Sequence, residues 1–230
     1  MSDPALPTGL FITGTDTGVG KTFVATALLR GLAAEGFRAV GMKPVATGIG
    51  AGEVHNADVA ALIAAGSVIA PPRDINPFAF APPIAPHLAA SQAGIVIDPE
   101  TIAAAYARLG THADVVIVEG AGGALTPLSR HADMLDIAAR LALPVLLVVA
   151  IRLGCLNHAL LSALAINARG LCLAGWVANR IDPAMRESDA NVDALACRLQ
   201  APVIADFRWN ADHVAEPIRR DVLVTLGLHR

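Results

Sequence analysis

Gly18, Gly20, Lys21 and Thr22, in the stretch "TGTDTGVGKT" (13–22), have the types and spacing to hold a phosphorylated nucleotide. The two glycines let main-chain N–H groups approach an anion through turns that other residues resist. The lysine can reach the outer phosphates and the threonine hydroxyl can ligate Mg²⁺. A helix beginning here would turn its positive end toward the same anion. The pattern G-x-x-x-x-G-K-[ST] asks for glycine where this chain has Thr15, and Gly14 stands one place earlier. A glycine-rich turn with a fortuitous G-K-T is the competing reading. The order of apolar strand (9–14), loop and helix (20–35) argues against it.

Three further charged residues could serve a phosphate chemistry. Glu119 closes the apolar run in "VVIVEGAGG", at the carboxyl edge of a parallel sheet, where ligands bind and where a carboxylate can hold a metal. Glycines 120, 122 and 123 follow it and allow main chain close to a substrate. Asp58, in "HNADVAAL", is read either as a metal ligand or as an ordinary acid in the first turn of a helix. Lys43 closes the second apolar run, in "KPVATG". An ammonium there is costly unless it meets an anion, and beside a phosphoryl group it would neutralise charge developing during transfer. A solvated lysine at a strand end is its plainer alternative.

The elements that must position these residues are a series of apolar strands at 9–14, 38–45, 114–120, 144–151 and 173–181. They carry little polar alternation, as strands covered on both faces do. Helical patterns fall between them at 20–35, 98–109, 132–141, 156–169 and 189–200. This alternation predicts an α/β fold: one domain over residues 1–230, phosphate-loop NTPase-like, with a mostly parallel sheet and helices on both faces. Residues 67–87 are Pro-rich and irregular and are expected to form a long ordered loop near the site.

Composition excludes several classes. Hydrophobic residues are 54% and charged residues 16% of the 230, which is core-rich. A net charge of −3 without a basic block argues against nucleic acid or an anionic membrane as partner, and 4% aromatics against base-stacking platforms. The amino-terminal "MSDPALPTG" has no signal-peptide features, and "LALPVLLVVAI" (141–151) is too short to span a bilayer. Cys155, Cys172 and Cys197 are an odd number without C-x-x-C spacing, read as free thiols in a reducing cytoplasm.

Taken in order, "TGTDTGVGKT", "KPVATG", "VEGAGG", "LGCLNHALL" and "GWVAN" resemble the dethiobiotin synthetase family over residues 9–181, whereas the last fifty residues carry little of the likeness. The Gly-Thr-x-Thr start is a trait of that family, so Thr15 is no departure from it. Gly18 stands where some members have an acid, and Arg180 also departs from the members compared.

The resemblance implies a cytoplasmic, homodimeric ligase of biotin biosynthesis that uses ATP, Mg²⁺, CO₂ and 7,8-diaminononanoate. One amine captures CO₂ as a carbamate; the carbamate attacks the γ-phosphate to form a carbamic-phosphoric anhydride; the second amine closes the ring and expels phosphate. Carried onto this chain, Lys21 and Lys43 become a cationic clamp with Thr17 beside them, and Thr47 holds the carbamate. ATP falls to Gly18, Val19, Gly20, Lys21, Thr22, Asp58, Glu119 and Asn179, with Asn179 recognising adenine. Magnesium falls to Thr22, Asp58 and Glu119. The substrate falls to Thr47, Gly122 and the 154–157 turn (Gly154, Cys155, Leu156, Asn157), whose N–H groups face its carboxylate from the neighbouring subunit. Cys155 is read as a small pocket residue, His158 as a structural hydrogen-bonder, and His87 as a helix cap.

Three competing readings are weighed. A partitioning-type ATPase switch carries lysine where this chain has Asp16. A cobyrinate-type synthetase needs an appended glutaminase domain, for which 230 residues leave no room. A non-catalytic regulator would have little need of Lys21, Thr22, Lys43 and Glu119 together.

Overall fold

Strand β1 (Thr8–Gly14) runs through the centre of a six-stranded sheet and ends in the phosphate loop. The computed structural model describes residues 8–50, 52–209 and 216–228. After β1 come α1 (Lys21–Ala34), β2 (Ala39–Met42), β3 (Val45–Thr47), α2 (Ala57–Ala65), α3 (Pro72–Ile75), β4 (Phe78–Phe80), α4 (Pro86–Ala93), α5 (Pro99–Gly110) and β5 (Val115–Glu119). Then follow α6 (Met134–Arg140), β6 (Val145–Ala150), α7 (Cys155–Ala168), β7 (Leu173–Asn179), α8 (Ser188–Arg198), β8 (Val203–Phe207) and α9 (Arg220–Thr225). The main sheet has the order β2-β5-β1-β6-β7-β8, and every pairing in it is parallel.

The sheet is covered on both faces, as the unbroken apolar runs require. Leu10 and Ile12 of β1 pack toward α1 and α9, in one cluster with Leu28, Leu32 and Leu223. Phe11 points the other way, with Tyr106 and Leu109 of α5 and Ile137 of α6. Leu147 and Val149 of β6 join Trp176 of β7 beneath α7 and α8. Parallel register brings the carboxyl ends of β1, β2 and β5 to one rim, where Ile12 lies opposite Glu119 and Met42 opposite Val118.

The predicted second strand, 38–45, is divided. β2 stops at Met42, and Pro44, which has no N–H to donate, separates it from β3, which pairs in parallel with β4 in a small second sheet. The predicted loop 67–87 contains α3, β4 and the start of α4. β8 had no counterpart among the predicted strands; of its five residues only Ile204 is buried, so its apolar signal is short. His87 does not cap α4: the N-cap is Ala85, without a side-chain cap bond, and His87 lies inside the first turn. The three cysteines are free thiols. No described helix is long and apolar enough to cross a membrane.

Candidate active site

The phosphate loop is built as its residue types demand. Gly18 and Gly20 have φ of 72° and 92°, in the left-handed region that glycine enters without strain. α1 starts at Lys21 with Gly20 as N-cap and no side-chain cap, so its first N–H groups are left for an anion. Lys21 Nζ donates to the Asp16 carbonyl at 2.9 Å and folds back over the loop. Burial, followed by the nearby Lys43 charge, pushes its pKa down to about 8.

Lys43 follows Met42 directly and is therefore level with Glu119 across the sheet. Its ammonium is 2.5 Å from Glu119 Oε1 and 2.8 Å from Asp58 Oδ2. Burial opposes the charge on Lys43, but Glu119 and Asp58 outweigh it and hold the pKa above the usual lysine value. Burial likewise opposes ionisation of Asp58, and the Lys43 charge and hydrogen bond, with help from Thr22 and Lys21, hold its pKa below the ordinary range. Thr22 Oγ1 donates to Glu119 Oε1 at 2.8 Å. Glu119 is fully buried, and its Oε2 has no hydrogen-bond partner.

This donor set fits a hard dication with oxygen ligands. Thr22, Asp58 and Glu119 converge, and Glu119 Oε2 is a buried acceptor awaiting a positive partner. No group of three or more His, Cys, Asp or Glu side chains that could hold a metal occurs among the described residues. A magnesium ion here would complete its shell with phosphate oxygens and water, as that ion prefers.

A cavity of about 790 Å³ opens above these groups. Thr17, Gly18, Gly20, Lys21, Thr22, Lys43, Thr47, Asp58, Glu119 and Gly122 line it, so most of the predicted site is assembled in one place. Asp58 sits in the first turn of α2, capped by Asn56, and its carboxylate faces Lys43. Val19 is buried and contributes its carbonyl, which accepts from Asn179 Nδ2 at 2.9 Å. Asn179 lies at a separate cavity of about 240 Å³ with Phe23, Arg180, Arg208 and Trp209, beyond the far side of the loop. Phe23 in turn meets the ring of Phe207 edge to face at 5.0 Å.

The 154–157 turn does not line the large cavity of its own chain. The Cys155 N–H, predicted to be available for a carboxylate, donates instead to the Arg152 carbonyl at 3.0 Å. Cys155 itself is buried, with its sulfur 3.9 Å from Asn191 Oδ1. His158 is exposed, and its ring makes no hydrogen bond among the described residues, so the structural role read for it is not seen. Beside this turn a cavity of about 410 Å³ separates α7 from the 123–127 loop. Arg152 ties the turn to the phosphate loop through Asp16 at 2.7 Å.

Sequence reasoning missed several walls. Asn56, Thr126, Pro127 and the Pro83–Pro86 segment line the large cavity. The Pro-rich character of 67–87 pointed to the last of these; Thr126 and Pro127 follow the glycines after Glu119 but carry no motif of their own. Phe23 and Trp209, which line the smaller cavity, had no local signal, because bringing residue 209 to this place depends on β8 pairing with β7.

Comparison with known proteins agrees with this geometry. A family model described as an AAA domain matches residues 8–217. The ATP-dependent dethiobiotin synthetase of Aromatoleum aromaticum is 52% identical over 200 residues, covering 86% of this chain and 89% of that protein. That of Nitrosospira multiformis is 52% identical over 210 residues, covering 91% and 92%. Among solved structures, the MinC:MinD cell division complex of Aquifex aeolicus superposes with a TM-score of 0.59 at 16% identity, covering 96% of this chain and 94% of that one. The cell division protein FtsY of Thermotoga maritima gives 0.54 at 17% identity, covering 99% and 70%. These two likenesses speak to the fold alone. Identity above one half across nearly the whole chain speaks to more, and with the lysines, acids and loop glycines gathered at one rim, the chain belongs to the ATP-dependent dethiobiotin synthetase family.

Proposed function

We propose that this protein carboxylates 7,8-diaminononanoate with CO₂ and closes the ring to dethiobiotin, converting ATP to ADP and phosphate. The observation that carries the reading is the convergence of Lys21, Lys43, Thr22, Asp58 and Glu119 on one cavity. Two cations and a metal-type acid cluster suit the transfer of a γ-phosphoryl group, whose charge spreads over three oxygens.

The steps are those that the family resemblance implies, and the groups in the cavity suit them. A substrate amine adds to CO₂ and loses a proton, forming a carbamate; Thr47, at the cavity wall, offers a hydroxyl to it. A carbamate oxygen then attacks the γ-phosphorus while the bond to the ADP oxygen breaks. Lys21 and Lys43 flank this transfer and offset its charge. The second amine attacks the carbamoyl carbon, phosphate leaves with its oxygen, and a proton is lost as the urea ring closes. Holding the reactants in register is the main work left to the protein. Magnesium, held by Thr22, Asp58 and Glu119, would supply charge neutralisation on the phosphates.

We also infer a homodimer. The 154–157 turn lies outside its own chain's cavity, and Leu125, Leu153, Leu161 and Leu164 on and around α7 are exposed, Leu153 at 96%. A second copy packed on this face would cover them and bring its own turn to the diamine's carboxylate, through the Leu156 and Asn157 N–H groups.

The direct test is ADP release by the purified protein with each component omitted in turn. Release that requires diaminononanoate, CO₂ and Mg²⁺ together is expected. Equal release without the diamine would replace this reading with that of an ATPase switch.

A further inference from the structure

Arg180 follows Asn179 at the carboxyl end of β7, and its side chain is only 9% exposed. Nε and Nη2 fork onto the two carboxylate oxygens of Asp206 in β8, each at 2.7 Å. Nη1 donates to Ser188 Oγ at 2.9 Å and pairs with Asp189 at 2.5 Å, both at the start of α8. The Arg180 main-chain N–H donates to the Phe207 carbonyl at 2.9 Å. A guanidinium has five N–H groups, and four of them serve these partners. With its charge opposed by two aspartates, Arg180 has little left with which to read a base, although it borders the smaller cavity.

What it holds is the residue before it. Asn179 stands opposite Ala150 on one side and Phe207 on the other, and its carbonyl accepts from Ile151 N–H at 2.8 Å. Its side-chain Nδ2 donates to Val19. That bond fixes which end of the amide is nitrogen, and so leaves the oxygen and the second N–H for a ligand in the cavity. An adenine edge offers an amino donor beside a ring acceptor; guanine offers the reverse. An amide held in one orientation can therefore select between them, and one free to turn over cannot.

We propose that Arg180 is a positioning residue for nucleobase selectivity: by bolting the end of β7 to β8 and α8, it keeps Asn179 seated against the Val19 carbonyl, the contact that orients its amide to favour adenine over guanine. This rests on Asn179 as the base-reading residue. The test is steady-state kinetics with ATP and GTP on the Arg180→Lys, Asp206→Asn and Asn179→Ala variants. Lysine keeps the charge and loses the fork. The ratio of kcat/KM for ATP to that for GTP is expected to fall about tenfold in Arg180→Lys, chiefly through the KM for ATP. Asp206→Asn, which keeps the native arginine, should move the ratio in the same direction. A ratio unchanged in both variants, or equal losses with both nucleotides, overturns the proposal and leaves Arg180 a purely structural tie. If Asn179→Ala shifts the ratio and the other two variants do not, this inference fails alone. If Asn179→Ala leaves the ratio intact, the base reading fails with it.

Discussion

Glu119 Oε1 accepts two hydrogen bonds at once, from Lys43 Nζ at 2.5 Å and from Thr22 Oγ1 at 2.8 Å. One buried oxygen thus joins the phosphate loop to the end of β2, and the acid that would serve a metal also holds the lysine that would serve the phosphoryl group. The relationship arises because Lys43 is one residue past the β2–β5 register and Glu119 is the last residue of β5.

Lys43→Met should lower kcat by about 10²–10³-fold with a much smaller change in ATP affinity, because the charge acts where negative charge develops in transfer. Single-turnover ADP formation beside equilibrium ATP binding separates the two. Equal losses in both would make Lys43 a general nucleotide ligand.

Lys43→Met also strips the cationic partner from a fully buried carboxylate, leaving it the Thr22 hydroxyl. Breaking one side of a buried pair costs about 3–5 kcal/mol. The double variant Lys43→Met/Glu119→Gln should recover part of that loss in thermal unfolding, since no unpaired charge then stays buried. A double variant less stable than Lys43→Met would show that the pair is not the source of the cost.

The Lys21 ammonium is destabilised in the nucleotide-free protein, with its pKa lowered from 10.5 to about 8. The unfolded chain keeps that proton up to about 10.5, so between the two values the unfolded state binds more protons, and this group's contribution to stability improves as pH rises. Nucleotide binding has the opposite sign: phosphates restore the ammonium, so above about pH 8 binding takes up a proton and ATP affinity falls. Calorimetry at pH 8.5–9 in buffers of different ionisation enthalpy should report that uptake, and Lys21→Met should abolish it.

The homodimer proposed above, with a site shared between its chains, predicts complementation. Lys43→Ala and Asn157→Pro homodimers should each be nearly inactive, the second through a raised KM for the diamine, because proline in the first turn of α7 removes one of the two N–H groups. Subunits mixed and exchanged should regain about a quarter of native activity, because half of the dimers would carry one intact site of two. No recovery after verified exchange would confine the site to a single chain. Leu161→Asp should release monomers that still bind ATP, read by sedimentation and nucleotide titration.

Much of this was legible in the chain, and the boundary is physical. Gly18, Gly20, Lys21 and Thr22 are neighbours in sequence, so their spacing alone specifies the phosphate loop. Glu119 and Lys43 could be read because each ends an apolar run, and a charge there needs a reason. Their contact with each other could not, since it depends on β2 lying beside β5 rather than beside β1. The bond from Asn179 to Val19 spans 160 positions and leaves no local trace. Pro44 was visible as a residue, yet the second small sheet it begins requires β4, a three-residue strand inside a stretch read as loop.

A β-carbon on Gly20 would lie 2.1 Å from Asn179 Nδ2, nearer than two unbonded atoms can rest. On the proposed reading of Asn179 as the base reader, the parts that would grip the two ends of the nucleotide are separated by a single hydrogen-sized gap. Gly20→Ala would not merely stiffen a turn: it would push the amide off its seat, so that damage at the triphosphate end is felt at the purine ring. Tolerance of altered bases and tolerance of altered phosphate chains should thus rise or fall together in this protein, since one wedge disturbs both.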